Sequence, residues 1–424
     1  MQLISNLKKV FIMKKITSVC KSLAIGLMGV AFFAACSNPD NPSNEPVVVV
    51  PNVPGIPSDD SATPNPVVLP EELNTVLPNF NYSVDRENGF FVIRFDMNGI
   101  QDPNNPSEWV RLYGPGDSQQ NVWLEVDDKP KGFSIYNTID GTSQEQAPVD
   151  LVFLVDNSSS MSEEANAIAR DIIEWSKELS KTLDVRFGCV GYGGFVSGAI
   201  NLTTAEKMEE WLNKSTGIMR TRDFADETPE KAQALKDAAA TDEYRVVSTY
   251  YSYERRYDPD YEECGVVALR FANDKFSFRT GANRIYVNLT DEPNQPNGKD
   301  AEFSTKWVKE NWTSTMGTIH TVWTRSAYDK PEDNVDRDYP WDLSFYTGGT
   351  ILCTSSSFRD SNGNDVRLSD LPVSSAIMNS YVIKFTNIEE IFDGNEHKIK
   401  ITVKSVGSDG SVVAEKVFYI KFEQ

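Results

Sequence analysis

Residues 148–162 read P-V-D-L-V-F-L-V-D-N-S-S-S-M-S, and no other stretch limits the fold as much. The apolar run 151–155 is of the kind that fills a strand buried on both faces, which calls for a parallel sheet covered by helices. The run stops at Asp156, and hydroxyls follow at Ser158 and Ser160. Apolar residues then recur at three or four positions, at Ala165, Ile168, Ile172, Trp175, Leu179 and Leu183, which marks one face of a helix. Ser162 stands where a residue would cap that helix. A carboxylate and two hydroxyls at i, i+2 and i+4 put three hard oxygens on the loop at a strand's carboxyl end. Open α/β sheets bind ligands there, and hard oxygens suit Mg²⁺ or a similar divalent cation.

From 148 to 373 strand and helix patterns alternate, as a doubly wound α/β sheet requires. Further strands are expected at 185–192, 199–202, 284–289, 319–323 and 350–354. Helices are expected at 205–214, 229–240, 265–272 and 302–311, with a short one near Leu343. The strand 284–289 runs into L-T-D-E-P, so Asp291 is a second carboxylate at a strand's carboxyl end. Neighbouring parallel strands bring their ends together, so Asp156, Ser158, Ser160 and Asp291 are expected to converge. The insertion 215–262 flanks these loops and carries Tyr250, Tyr251, Tyr253 and Tyr257. Those rings either contact a partner, where aromatics dominate binding, or pack the insertion onto its own domain.

The flanks have a different grammar. Phe91, Ile93 and Phe95 alternate with other residues, and 122–126 and 133–136 do the same. Turn residues at Asn98-Gly99, Gly114-Pro115-Gly116 and Asp127-Asp128 separate these runs. The pattern returns at 381–385, 398–403 and 412–422, with Asp393-Gly394 and Asp409-Gly410 between. Neither flank has enough strands to bury a sheet alone. One β-sandwich built from 78–147 and 374–424, with the α/β domain 148–373 inserted, is the economical arrangement.

At the amino terminus Lys14 and Lys15 precede an apolar stretch, 23–35, too short to span a bilayer comfortably. It ends in F-A-A-C at Cys36, with Met13 a candidate start. The segment resembles the lipobox of bacterial lipoproteins. The resemblance implies a signal peptide over 1–36, lipidation of Cys36, and an exported protein anchored in the outer membrane and displayed at the cell surface. Residues 37–77, rich in Pro, Asn, Ser and Asp, read as a flexible tether. At roughly 3 Å per residue such a tether reaches on the order of 100 Å.

Charge and side-chain inventory narrow the function. Removing the five lysines before Cys36 takes the net charge from −21 to −26. Such an excess of acid argues against a nucleic-acid partner, whose phosphates need Lys and Arg. Cys189, Cys264 and Cys353 are odd in number and widely spaced, which fits neither a disulfide framework nor a zinc site. Cys189 and Cys353 fall in apolar strands and read as core thiols. His320 and His397 are the two histidines, and neither has a metal-spaced neighbour. The sequence has no G-x-S-x-G elbow and no phosphate-binding glycine loop, so enzymatic chemistry is disfavoured.

Taken together, the motifs of 148–355 resemble those of a von Willebrand factor type A, or integrin I-like, domain. D-N-S-S-S follows the first strand, V-R-F-G-C-V-G-Y-G-G matches the second, L-T-D-E-P the distal aspartate loop and Y-T-G-G-T-I-L the closing turn. The resemblance implies a metal-ion-dependent adhesion site holding Mg²⁺ (or Mn²⁺ or Ca²⁺) on Asp156, Ser158, Ser160 and Asp291. Its open position would take an Asp or Glu from a protein partner, a host matrix or bacterial surface protein. For the third loop, D-Y-E-E-C-G supplies Glu263, with Asp260 nearby, although the family's usual Pro before that Glu is missing. The alternative, D-E-T-P-E, supplies Thr228. Glu163 and Glu164 stand where integrin β chains hold a second cation, or are simply acids favoured at a helix amino terminus. The implied function is surface adhesion. A tip or accessory subunit of a pilus or fimbria is the alternative, and a metal-dependent hydrolase is the least favoured.

Overall fold

A computed structural model of the chain describes residues 53–138, 147–246, 263–296, 301–324, 338–355, 358–359, 366–386, 391–407 and 410–422. Strands β1 (Phe80–Glu87) and β2 (Phe90–Met97) form a hairpin, followed by β3 (Val122–Val126), β4 (Lys129–Pro130) and β5 (Phe133–Asn137). Asn88 and Gly89 turn the hairpin with φ of 52° and 89°, the conformation that matches the twist of the paired strands. The alternation Phe80-Asn81-Tyr82-Ser83-Val84 in β1 is as regular as that of β2, and β1 falls inside the flank expected from residue 78.

The central α/β elements follow in order. They are β6 (Val149–Asp156), α1 (Ala165–Leu179), β7 (Val185–Tyr192), β8 (Val196–Thr203), α2 (Ala205–Leu212), β9 (Phe224–Ala225) and α3 (Pro229–Ala239). Next come α4 (Gly265–Lys275), β10 (Asn283–Thr290), α5 (Thr305–Asn311), β11 (Thr318–Trp323), α6 (Asp342–Thr347), β12 (Ile351–Cys353) and α7 (Pro372–Met378). The last strands are β13 (Tyr381–Phe385), β14 (His397–Gly407) and β15 (Gly410–Ile420).

Seven strands make one mostly parallel sheet in the order β12-β11-β10-β6-β7-β8-β9, and β8 runs antiparallel to β7. All eight residues of β6 are buried because its two faces serve two cores. Leu151 and Phe153 pack with Ile172 and Trp175 of α1, Trp211 of α2, and Val373 and Ile377 of α7. Val152 and Leu154 pack on the other face with Val267 and Phe271 of α4 and Leu343 of α6. Each such fully buried side chain stabilises the fold by about 1.5–3 kcal/mol. The uninterrupted apolar run at 151–155 is therefore the signature of a two-sided sheet.

The flanks form two antiparallel sheets, β1-β2-β13-β5 and β15-β14-β3-β4. Their inner faces share one core, in which Phe80, Ile93, Phe95, Phe133, Ile383 and Phe385 meet Leu124, Ile399, Ile401 and Phe418. Phe80 and Phe418 join the sheets edge to face at 4.5 Å.

Two expectations are corrected here. Residues 53–77, read as part of a flexible tether, lie against the antiparallel sheets. Val53 and Ile56 are buried on Val92, Asp59 pairs with Lys131 at 2.8 Å, and Leu77 enters the shared core. Gly132 makes this possible, since a Cβ there would stand 2.3 Å from the Pro57 carbonyl oxygen. Ser162 does not cap α1. It closes a short 3₁₀ turn by donating to the Ser159 carbonyl, and the helix starts after Glu164.

The antiparallel sheets meet the α/β unit at the amino ends of β10 and β11. Asn79 donates through its amide to Gly317 O (2.9 Å) and through its backbone to Thr347 O (2.9 Å). Asn283 donates to Asn98 Oδ1 at 2.6 Å, and Gly99 N donates to Ala376 O at 2.9 Å. The carboxyl ends of the parallel strands lie at the far end of the sheet. Among the described residues no helix is long and apolar enough to cross a membrane.

Candidate metal centre

Asp156 is the last residue of β6, and the register with β10 pairs Val155 with Leu289. That register sets Asp156 opposite Thr290 and places Asp291 one step beyond. A continuous hydrogen-bonded chain results. Thr290 Oγ1 donates to Asp156 Oδ2 (2.9 Å) and Ser158 N donates to Asp156 Oδ1 (2.9 Å). Ser158 Oγ and Ser160 Oγ are 2.9 Å apart, and Ser160 Oγ donates to Asp291 Oδ1 at 3.0 Å. The four residues expected to converge do so. Asp156 and Asp291 are 1% and 5% exposed.

Burial pushes the Asp156 carboxyl up to about 7, and the nearby Asp291 charge adds to the rise, while bonds from Ser158 and Thr290 oppose it. No Lys or Arg pairs with Asp156 among the described residues. A buried carboxylate without a counter-charge is costly, and a divalent cation would supply that charge. The donor set also fits a hard cation, since it consists of carboxylates and hydroxyls. Among the described residues no group of three or more His, Cys, Asp or Glu could hold a metal. A cation here would therefore depend on the serine hydroxyls.

Glu263 is 8% exposed and stands just before Cys264, the N-cap of α4. Cys264 N donates to Gly193 O just past β7 (3.0 Å), and Gln295 donates to Glu263 through both its backbone (2.8 Å) and its side chain (3.0 Å). Glu263 is thus tied to the segment that follows Asp291, at the same end of the sheet as Asp156. Thr228, by contrast, is not brought to this end. It follows β9, which runs parallel to β8 and hence opposite to β7, and its hydroxyl caps α3 by accepting from Lys231 N at 3.3 Å. Glu163 is exposed, whereas Glu164 is buried at the start of α1, where its carbonyl accepts from Ile168 N at 2.8 Å. Asp260, Tyr250, Tyr251, Tyr253, Tyr257 and Cys36 lie outside the described residues.

Sequence reasoning missed three supports of this loop. Thr290 holds Asp156, and a threonine as the last residue of a buried strand, next to an aspartate, was the available signal. Asn157 donates to Ser197 Oγ (2.7 Å) and Thr221 Oγ1 (3.0 Å), while its carbonyl accepts from Arg222 Nη2 (2.8 Å). The turn carrying Thr221 approaches so closely that a Cβ on Gly191 or Gly198 would stand 2.2 or 2.3 Å from its carbonyl oxygen. Glycines inside strand patterns mark such approaches. The histidines lie elsewhere. His320 is buried against Thr350, which pushes its imidazole down to about 3. His397 is held between Asp127 and Asp393.

The sequence matches no family model and no curated protein. Among solved structures, proximal thread matrix protein 1 from the mussel byssus is similar at TM-score 0.33 and 10% identity, over 58% of this chain and 49% of that one. A point mutant of the PilB minor pilin from Streptococcus sanguinis is similar at TM-score 0.30 and 8% identity, over 66% and 74%. Manganese-loaded TRAP protein from Plasmodium vivax is similar at TM-score 0.27 and 10% identity, over 69% and 98%. This chain spans about half the length of the byssus protein. Likenesses this weak carry no argument about fold or function.

Proposed function

We propose that the chain is a surface adhesion protein of the von Willebrand factor A type, whose α/β domain binds a protein partner through a divalent cation. The observation that carries this reading is the convergence of Asp156, Ser158, Ser160 and Asp291 from two strand ends into one chain of oxygens, buried at Asp156, Ser158 and Asp291 and open to solvent at Ser160. In this reading Asp156, Ser158, Ser160 and Asp291 hold Mg²⁺, or Mn²⁺ or Ca²⁺, and Glu263 is the third-loop contributor. The bound ion would supply a Lewis-acidic position for an incoming Asp or Glu. Two hydroxyls and few carboxylates leave a cation only partly neutralised, which favours an acidic partner. Thr290 keeps Asp156 oriented, and Asn157 latches the loop to the turn at 217–222. Cys36 provides the lipid anchor, the domains divide as 78–147 plus 374–424 and 148–373 except that all of α7 goes with the α/β core through Val373 and Ile377, and the partner is a host matrix or bacterial surface protein.

The test is calorimetric titration of the metal-free protein with Mg²⁺ and Mn²⁺, beside Asp156→Ala of verified fold. Saturable binding by wild type and none by the variant supports the reading. Equal heats from both would end it. Fractionation addresses a narrower form of the reading, in which the chain is a tip or accessory subunit of a pilus or fimbria. That form predicts co-purification with filaments, and recovery from membranes alone would count against it.

A further inference from the structure

Lys416 lies on β15, an edge strand of one antiparallel sheet, and Asn79 directly precedes β1, an edge strand of the other. The lysine amine is turned under the chain, where Nζ donates to Leu77 O (3.1 Å) and to Asn79 Oδ1. Both acceptors are neutral, and among the described residues no carboxylate pairs with it. Two acceptors match the two protons of an uncharged amine and leave its lone pair unengaged. Burial pushes the amine down to about 7, so a large fraction is uncharged at neutral pH.

The asparagine is equally constrained. It is buried, and its amide nitrogen donates to Gly317 O (2.9 Å) and Thr313 O (3.4 Å), which fixes the plane of the amide. The amide carbon lies only about 1.2 Å from Oδ1, so an amine bonded to that oxygen is within reach of the carbon. Phe80 and Phe418, next to Asn79 and two positions on from Lys416, stack edge to face beside the pair, and Asn79 is 2% exposed. Uncharged nucleophile, fixed electrophile and scant water are the elements of a near-attack arrangement.

We propose that Lys416 and Asn79 form an intramolecular amide cross-link that ties the last strand to the segment entering the first. The Nζ lone pair bonds to Cγ of Asn79, and the Cγ–Nδ2 bond breaks. One Nζ proton passes to the departing nitrogen, which leaves as ammonia. Nothing is oxidised or reduced, and no proton is taken from outside. The cross-link would close a loop between positions 337 residues apart and would fasten two edge strands of facing sheets where they meet the α/β unit. It does not depend on the metal-site reading.

Peptide mapping of the folded full-length chain by mass spectrometry tests this. The expected result is one linked pair carrying Asn79 and Lys416, lighter than the two free peptides by about 17 Da for lost ammonia. Lys416→Arg, which keeps a cation but cannot make this bond, should give both peptides free. Free peptides from folded wild type overturn the proposal. The same mass loss without a linked pair, as ring closure at Asn88-Gly89 would give, also overturns it. The decisive reading is taken on wild type, so it stands even if the variant fails to fold.

Discussion

Replacing Asp156 by Asn should stabilise the metal-free protein while abolishing its response to divalent cations. The side chain is 1% exposed, and burial raises its carboxyl from 3.8 to about 7. Three units at about 1.4 kcal/mol each give a ceiling of about 4 kcal/mol for holding the charge in the folded state above pH 7. Asparagine has the same shape and keeps an oxygen for Ser158 N. Its amide must instead face Thr290 Oγ1, which can turn to accept, and about 1 kcal/mol of the gain is lost there. The expected net is roughly 2–3 kcal/mol in favour of the variant in EDTA at pH 7.5. Saturating Mg²⁺ should cancel most of this advantage, because a ligand at one hundred times its Kd stabilises the folded wild type by about 2.7 kcal/mol and the variant has lost the site. The assay is urea denaturation of both proteins in EDTA and in millimolar Mg²⁺. A variant less stable than wild type in EDTA, or an equal Mg²⁺ response from the two proteins, would refute the reasoning.

Thr290→Val should weaken Mn²⁺ binding about tenfold, the cost of roughly one charge-assisted hydrogen bond, and Thr290→Ser should restore it; titration calorimetry gives both numbers, and equal affinities for Val and Ser would exclude a positioning role. Burial alone would lower the His397 imidazole, but Asp127 and Asp393 outweigh it and raise the group above its ordinary value. Its contribution to stability is therefore full below about pH 6.5 and is lost as pH rises through the raised folded value. The stability gap between wild type and His397→Gln in urea should shrink from pH 6 to pH 8, and a constant gap would contradict the pairing. Gly191→Ala puts a Cβ 2.2 Å from Thr221 O. It should cost roughly 1–3 kcal/mol by forcing the turn away, whereas an unchanged denaturation midpoint would show that the turn is not held there.

The sheet was legible because its evidence is local. A strand covered on both faces must be apolar throughout, and 151–155 could hardly be anything else. The convergence of Asp156 and Asp291 was legible for a related reason, since parallel neighbours end at the same edge. Thr228 stayed open as the alternative to Glu263 because its sequence context, a threonine followed by Pro229 and Glu230, is that of a helix cap, and a cap and a metal ligand look alike until strand direction is known. The direction of β9 depends on β8 running antiparallel to β7, which no local pattern announced. Residues 53–77 failed for the opposite reason. Val53 and Ile56 are isolated among prolines and polar residues and are held by the remote Val92, and Asn74 N donates to the still more remote Val413 O. Composition recorded the lack of α-helix or strand in this segment but not its docking.

The two ends of the α/β sheet have separate tasks, and the chain path explains why they do not interfere. β5 ends at Asn137 directly opposite Tyr381, where β13 begins, and Thr138 N donates to Ser380 O at 3.0 Å. The chain therefore leaves the antiparallel sheets and returns to them at adjacent positions. The contacts of Asn79, Asn98 and Asn283 fall at that same end. The carboxyl ends of β6 and β10 are away from these contacts, and Asp156, Ser158, Ser160 and Asp291 sit there. Covering that end with a partner would require no strand of the flanking sheets to separate. An insertion with adjacent entry and exit can also keep its own core intact when the flanking sheets are pulled, because its packing around Phe153 and Trp175 takes in α7 but no strand of those sheets. For a protein proposed to hold on to another, the loops carrying Asp156 and Asp291 thus lie at the end of the sheet opposite its contacts with the flanking sheets.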